Sequence, residues 1–246
     1  MDFKRTVCTA TLAMLALPSI AAERDPACSE QLQELAGSFL QANGRRQESE
    51  DDRPAISSAC KPWPGKESYT LGVFVYDGIA QDTRRILVAL LDQPRSTVVA
   101  SYWAAVPSDA IETYREGIRI DTARYQLQPG LRAFGVDFNT TEPRYQYGGY
   151  GPMRTLYVRE GEAIRPVLSG MAIASWRLLN DPWEKGAEED GPAPEIERFN
   201  STIAIASTRS KGYADLLVTR KSDQPGAKPT TQLLHYDGRQ YPTPQE

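Results

Sequence analysis

Residues 69–104 read YTLGVFVYDGIAQDTRRILVALLDQPRSTVVASYWA, and their reading decides the fold. Three runs, Tyr69 to Tyr76, Arg85 to Leu91 and Thr97 to Ala104, are dense in Val, Ile, Leu, Tyr and Trp. Asp77-Gly78 and Asp92-Gln-Pro94 separate them, which is turn chemistry. Short β-prone runs broken by Gly, Pro and Asp argue for antiparallel strands rather than helices. The same texture continues downstream in the runs Arg124 to Gln128, Leu131 to Phe138, Arg154 to Arg159, Ala163 to Leu168, Ala172 to Leu179, Thr202 to Ser207, Ala214 to Lys221, Thr231 to Tyr236 and Gln240 to Tyr241. The expectation is a mainly β protein, an antiparallel β-sandwich of meanders with one N-terminal helix. A weak echo links Ile86 to Trp103, Leu156 to Trp176 and Leu216 to Tyr241, each a strand, a tight turn and a second strand ending near an aromatic. That echo keeps a β-propeller-like arrangement of hairpin units as the alternative, although a closed ring usually needs about 4 to 8 blades.

Upstream of this body the chain changes character. Asp25-Pro26 can start a helix, Leu32, Leu35, Phe39 and Leu40 share one face, and Asn43-Gly44 can stop it. Arg45 to Pro54 carries charge and no apolar cluster, which predicts a solvated loop. At the very start, Lys4 and Arg5 precede an uncharged run from Thr6 to Leu17 and the small-residue exit Ser19-Ile20-Ala21-Ala22. This is the layout of a secretory signal peptide. Its removal would discard Cys8 and leave Cys28 and Cys60 in an oxidising compartment, where they should form a disulfide. The domain expectation is therefore a signal peptide over 1–22, an N-terminal helix and polar loop over 23–66 pinned by that disulfide, and a β-rich domain over 67–246. One disulfide in so long a chain favours a bacterial periplasm over a eukaryotic extracellular module.

Without Asp2, Lys4 and Arg5, the chain keeps 26 basic and 31 acidic residues, a net charge near −5. That balance disfavours nucleic-acid binding, which needs clustered Lys and Arg. No stretch approaches the roughly 20 apolar residues of a membrane-spanning helix, so no transmembrane anchor is expected. Asn139-Thr140-Thr141 and Asn200-Ser201-Thr202 fit the glycosylation acceptor pattern, read here as chance.

His235 is the single histidine, so any Ser-His-Asp or Cys-His site would have to use it. Its place in an expected strand predicts a half-buried sheet residue. No Gly-x-Ser-x-Gly elbow, His-Glu-x-x-His helix or phosphate-cradling Gly-x-x-x-x-Gly-Lys loop occurs. One His and no free thiol do not make a zinc site. The acidic stretches Glu48 to Asp52 and Glu184 to Asp190 read as solvated loop charge, so neither a metal nor a cofactor is expected. Paired carboxylates could still serve glycoside hydrolysis without histidine. Asp121, Asp137 and Glu160 lie beside expected strands and are expected to face water.

The strongest surface candidate is Arg144-Tyr145-Gln146-Tyr147-Gly148-Gly149-Tyr150-Gly151. Tyrosine gives contact area at low entropy cost, a chemistry favoured at recognition surfaces, so Tyr145, Tyr147 and Tyr150 are the candidate partner-binding residues. Trp103 and Trp176 end apolar strands and should be core, whereas Trp63 and Trp183 flank prolines in loops. The sequence thus predicts an exported, periplasmic or secreted, non-enzymatic binding or inhibitor-type protein, its partner another protein or an envelope glycan. The alternatives are a carboxylate-based hydrolase of envelope glycan and a structural envelope module.

Overall fold

A computed structural model describes residues 25–45, 54–64, 66–78, 80, 82–108, 111, 117–139, 148–180 and 195–244. The expected signal peptide, the two acidic stretches, Tyr145, Tyr147 and Trp183 lie outside these residues. The protein is mainly β, and the described residues form two sheets and one helix, α1 (Glu30–Ala42).

The larger sheet has eight strands. Its first half is an antiparallel meander of β1 (Ser57–Pro62), β2 (Tyr69–Asp77), β3 (Thr83–Asp92) and β4 (Thr97–Pro107). Its second half pairs β5 (Ile118–Gln128), β6 (Leu131–Phe138), β8 (Met153–Glu160) and β9 (Ala163–Ala172), again antiparallel. The halves join where β4 and β9 run parallel, but only through the pair Ser101 and Ala163 and a hydrogen bond from Ser101 N–H to Glu162 O at 3.0 Å. At the other end the outer strands β1 and β5 are clasped by side chains. Asp25 accepts the Ile120 N–H at 2.5 Å and pairs with Lys61 Nζ at 2.8 Å, while Lys61 donates to Ile120 O at 2.8 Å. The sheet is a nearly closed barrel.

Inward-facing residues at alternate positions fill it. Val73, Val75, Val88, Ile120 and Val136 are wholly buried, and Phe134 stacks on Tyr157 with centroids 5.7 Å apart. Trp63 lies in the loop after β1, as expected, yet its ring packs edge-on to Phe134 at 5.7 Å and so belongs to the barrel core.

Both outer flanks of the barrel are also covered. Leu32, Ala36 and Leu40 of α1 pack on Phe74, Leu87, Ala89 and Leu91, and the Cys28–Cys60 disulfide ties the helix to β1. The second sheet, in the order β13 (Thr230–Leu234), β12 (Tyr213–Ser222), β11 (Ile196–Ser210), β10 (Ala174–Leu178) and β7 (Gly148–Tyr150), covers the other flank. There Leu127, Leu156, Val158 and Leu168 meet Leu216, Val218 and Leu234. A strand buried on both faces needs no polar side. This is why β3 reads as the unbroken run Ile86 to Leu91, every residue of which is buried.

The sandwich expectation holds for the packing of two sheets, with the larger one curled; hairpin units do not radiate as propeller blades. Several local expectations are corrected. Asp25 does not cap α1, because its carboxylate closes the barrel, and the helix begins one turn later with Ser29 at its N-cap. Gln240 to Tyr241 forms no strand: Asp237 accepts the N–H groups of Arg239 and Gln240 in a turn, and Tyr241 then donates its N–H to Val167 O of β9. The expected run Ala172 to Leu179 is divided at Ile173, where the chain leaves the barrel for the second sheet. β11 starts at Ile196, well ahead of the expected run Thr202 to Ser207.

Candidate functional site

Within the described residues the chain crosses between the two sheets at two adjacent places. It passes from β7 to β8 through Gly151-Pro152 and from β9 to β10 through Ile173. The crossings are hydrogen-bonded to one another, Gly151 N–H to Ala174 O and Ile173 N–H to Pro152 O, both at 2.8 Å. Two cavities flank this junction. One, about 660 Å³, is a cleft between the barrel and the second sheet, lined by Met171, Val218, Arg220, Thr231, Gln232 and Thr243 among others. The other, about 390 Å³, opens into the barrel at the β4–β9 gap, between Tyr102, Ala104, Val106, Phe138, Tyr157 and Pro166. Tyr150, Met153 and Gly170 line both.

Tyr150 owes its place to the glycines before it. A Cβ on Gly149 would stand 2.6 Å from Trp176 Nε1, and one on Gly148 would stand 2.8 Å from Trp176 O. Only glycine lets β7 lie this close to β10, in register with Tyr150 opposite Ser175. Trp176 is therefore half-buried over the glycines rather than fully in the core, and Trp103 is likewise half-buried, beside Tyr76.

The barrel cavity exists because β4 and β9 part after Ser101 and Ala163. Pro166 has no N–H to offer across the gap. Tyr102 and Tyr157 lie with their rings 5.4 Å apart. Burial pushes both phenols above the ordinary tyrosine value, so they remain neutral hydrogen-bonding groups.

The cleft holds one notable cation. Arg177 pairs with Glu197 at 2.7 Å and Arg198 with Asp223 at 3.8 Å. Arg220 has no carboxylate within 4 Å among the described residues. Its guanidinium lies 4.0 Å from the centroid of the Phe199 ring and donates to Ser175 Oγ at 3.1 Å. These contacts hold the group in place, and neither partner carries a counter-charge.

The carboxylates singled out from sequence take other roles. Asp121 and Asp137 do not face water: Asp137 is 2 % exposed and accepts Arg154 Nε and Nη2 at 2.6 and 2.8 Å, while Asp121 lies 2.6 Å from Arg154 Nη1. Tyr125 donates to Asp121 at 2.8 Å and accepts from Arg154 at 2.9 Å. Burial pushes the Asp121 carboxyl up, but the Arg154 charge and the hydrogen bonds from Ala123 N–H and Tyr125 outweigh it and hold it below the usual range. Glu160 is paired with Arg165 at 2.7 Å and accepts from Tyr213 at 3.2 Å.

His235 is not a half-buried strand residue. It follows β13, is 64 % exposed, and its Nδ1 stands 3.1 Å from Ser210 Oγ and 3.2 Å from Asp215 Oδ2. Both partners meet the same nitrogen, whereas a Ser-His-Asp relay sets them on opposite nitrogens. Among the described residues no group of three or more His, Cys, Asp or Glu side chains could hold a metal ion. No helix among them is long and apolar enough to cross a membrane.

Of the three candidate tyrosines, the structure places Tyr150 at the junction, while Tyr145 and Tyr147 fall outside the described residues. Sequence reasoning missed Arg220 and the Tyr102–Tyr157 pair. Arg220 did leave a signal: Leu216, Val218 and Arg220 occupy alternate positions of β12, so an arginine ends the apolar stripe that faces the barrel. Comparison with known protein families, with curated proteins and with solved structures found no match.

Proposed function

We propose that this is an exported, non-enzymatic binding protein that holds its target in the cleft between barrel and second sheet. The observation that carries the reading is the meeting of two cavities at Tyr150, one apolar and entering the barrel, one hydroxyl-rich and holding a cation that has no counter-charge among the described residues. Ligand sites are concave, mostly apolar, and carry a few polar groups that fix orientation, with volumes of roughly 300 to 1,000 Å³. Both cavities fall in that range. Further support is that Asp121, Asp137 and Glu160 are each engaged by an arginine, which leaves none of them as an open acid or base. The disulfide suits an oxidising compartment. The test is capture from the native exported fraction with the mature, tagged protein, followed by mass spectrometry of everything retained. A specific molecule held by the wild type and lost with Tyr150→Ala supports the reading. A molecule held equally by both proteins moves the site elsewhere, and nothing held by either counts against a binding role.

A further inference from the structure

The two cavities differ in chemistry, and the difference says what kind of ligand would occupy both. The barrel cavity is walled by Ile86, Ala104, Val106, Phe138 and Met153, with neutral phenols as its main polar groups. An eight-stranded barrel is just wide enough to be filled by side chains or to hold one small ligand. Here the side chains leave space where β4 and β9 diverge. Tyr150, Met153 and Gly170 are shared with the cleft, so the opening leads directly to the face that carries Arg220.

We propose that the ligand is a single-chain anionic amphiphile, a long-chain fatty carboxylate, with its tail passed through the β4–β9 gap into the barrel and its carboxylate at Arg220. This rests on the binding role of the cleft proposed above and adds the ligand's class. Charge complementarity carries the choice. A planar guanidinium offers a fork of N–H donors matched to a carboxylate, and Arg220 keeps that fork without a carboxylate partner among the described residues. Stacking on Phe199 and the bond to Ser175 Oγ hold it, so little conformational entropy remains to be lost on binding. Ser175, Ser201, Thr230 and Thr231, which line the same cleft, supply hydroxyls for the remaining carboxylate lone pairs. A wholly apolar ligand would leave this cation and these hydroxyls unsatisfied. A wholly polar one would leave the barrel cavity empty.

The test uses the full mature protein and a fluorescent polyene fatty acid, with palmitate and methyl palmitate as competitors. Palmitate should displace the probe from the wild type. Arg220→Gln should weaken palmitate by at least about tenfold, the loss expected for a charge-assisted hydrogen-bonded pair, and leave methyl palmitate nearly unchanged. Ala104→Trp, which fills the gap, should abolish binding of both competitors. If that variant does not fold by circular dichroism, Ser169→Trp at the exposed opposite lip replaces it. Equal weakening of palmitate and its ester by Arg220→Gln would overturn the placement of the carboxylate, and unchanged affinity in the gap-filling variant would overturn the placement of the tail. Failure of the wild type to bind the probe overturns the ligand class. If the capture experiment then still retains a Tyr150-dependent protein or glycan, the cleft keeps its binding role with a different occupant, and if it retains nothing, both proposals fall together.

Discussion

Arg154 ties three strands of the barrel to one another. Its guanidinium, 5 % exposed, reaches Asp137 on β6 and both Asp121 and Tyr125 on β5 from its own place on β8. Gly135 makes room for it, since a Cβ there would meet Arg154 Nε at 3.3 Å and Asp121 Cβ at 3.2 Å. Buried charges persist only when paired and hydrogen-bonded, and every partner here comes from β6, which adjoins β8, or from β5, the next strand beyond it. A dependence on pH follows. Asp121 titrates below its ordinary value when folded, so the folded state holds fewer protons than the unfolded chain on the acid limb. Its contribution is complete above the unfolded pKa of about 3.9 and is lost as pH falls through the lower folded value. Urea unfolding at stepped pH should therefore show stability falling as pH drops below about 5, with a shallower fall in Asp121→Asn. It should not vanish, because Glu160, Asp215 and Asp237 are also held below their usual ranges and act with the same sign. An unchanged acid limb in Asp121→Asn would mean that Arg154 stabilises the carboxylate no more in the folded state than water does.

Among the elements, α1 and β1 depend on one covalent link. The Cys28–Cys60 bond closes a loop of separation 32, for which chain entropy gives a stabilisation of roughly 3 to 4 kcal/mol, with the mechanism model-dependent. Cys28→Ser should lower the melting temperature by about 10 °C and leave one thiol that reacts with a thiol reagent. Two reactive thiols in the oxidised wild type would contradict the bond. The helix, the disulfide and most strands were legible because they follow from local composition and period. β1 was not legible: Ser57 to Pro62 has one apolar side chain besides its cysteine, and it is a strand because β2 offers it six register partners. β7 was hidden for a related reason. Two of its three residues are glycines, poor strand formers in isolation, and their fitness shows only when Trp176 lies across them. Asp25 reads as a helix cap by sequence, since capping and clasping need the same short carboxylate. The choice between them was made by Ile120, 95 residues away.

At the scale of the whole molecule, the protein is a barrel with one flank covered by a helix, the other by a sheet, and a gap left open between its two halves. Alternation along strands foretold two packed sheets but could not foretell curling, because closure depends on which edges meet. Here those edges meet through Asp25 and Lys61 on one side and through the single Ser101–Ala163 pair on the other. The candidate site was legible only as Tyr150. Its cavities are a product of the chain switching sheets at Gly151-Pro152 and at Ile173, which no local pattern records. The binding role and the fatty-carboxylate ligand proposed for this protein both place the target in that cleft. The direct measurement is photo-crosslinking with benzophenone placed on Thr231→Cys, exposed at the cleft, and on Glu34→Cys, exposed on the outer face of α1, each exposed to the native exported fraction. A specific adduct from position 231 with none from position 34 is the predicted result. Adducts of equal yield from both positions, or from position 34 alone, would contradict the cleft as the binding site.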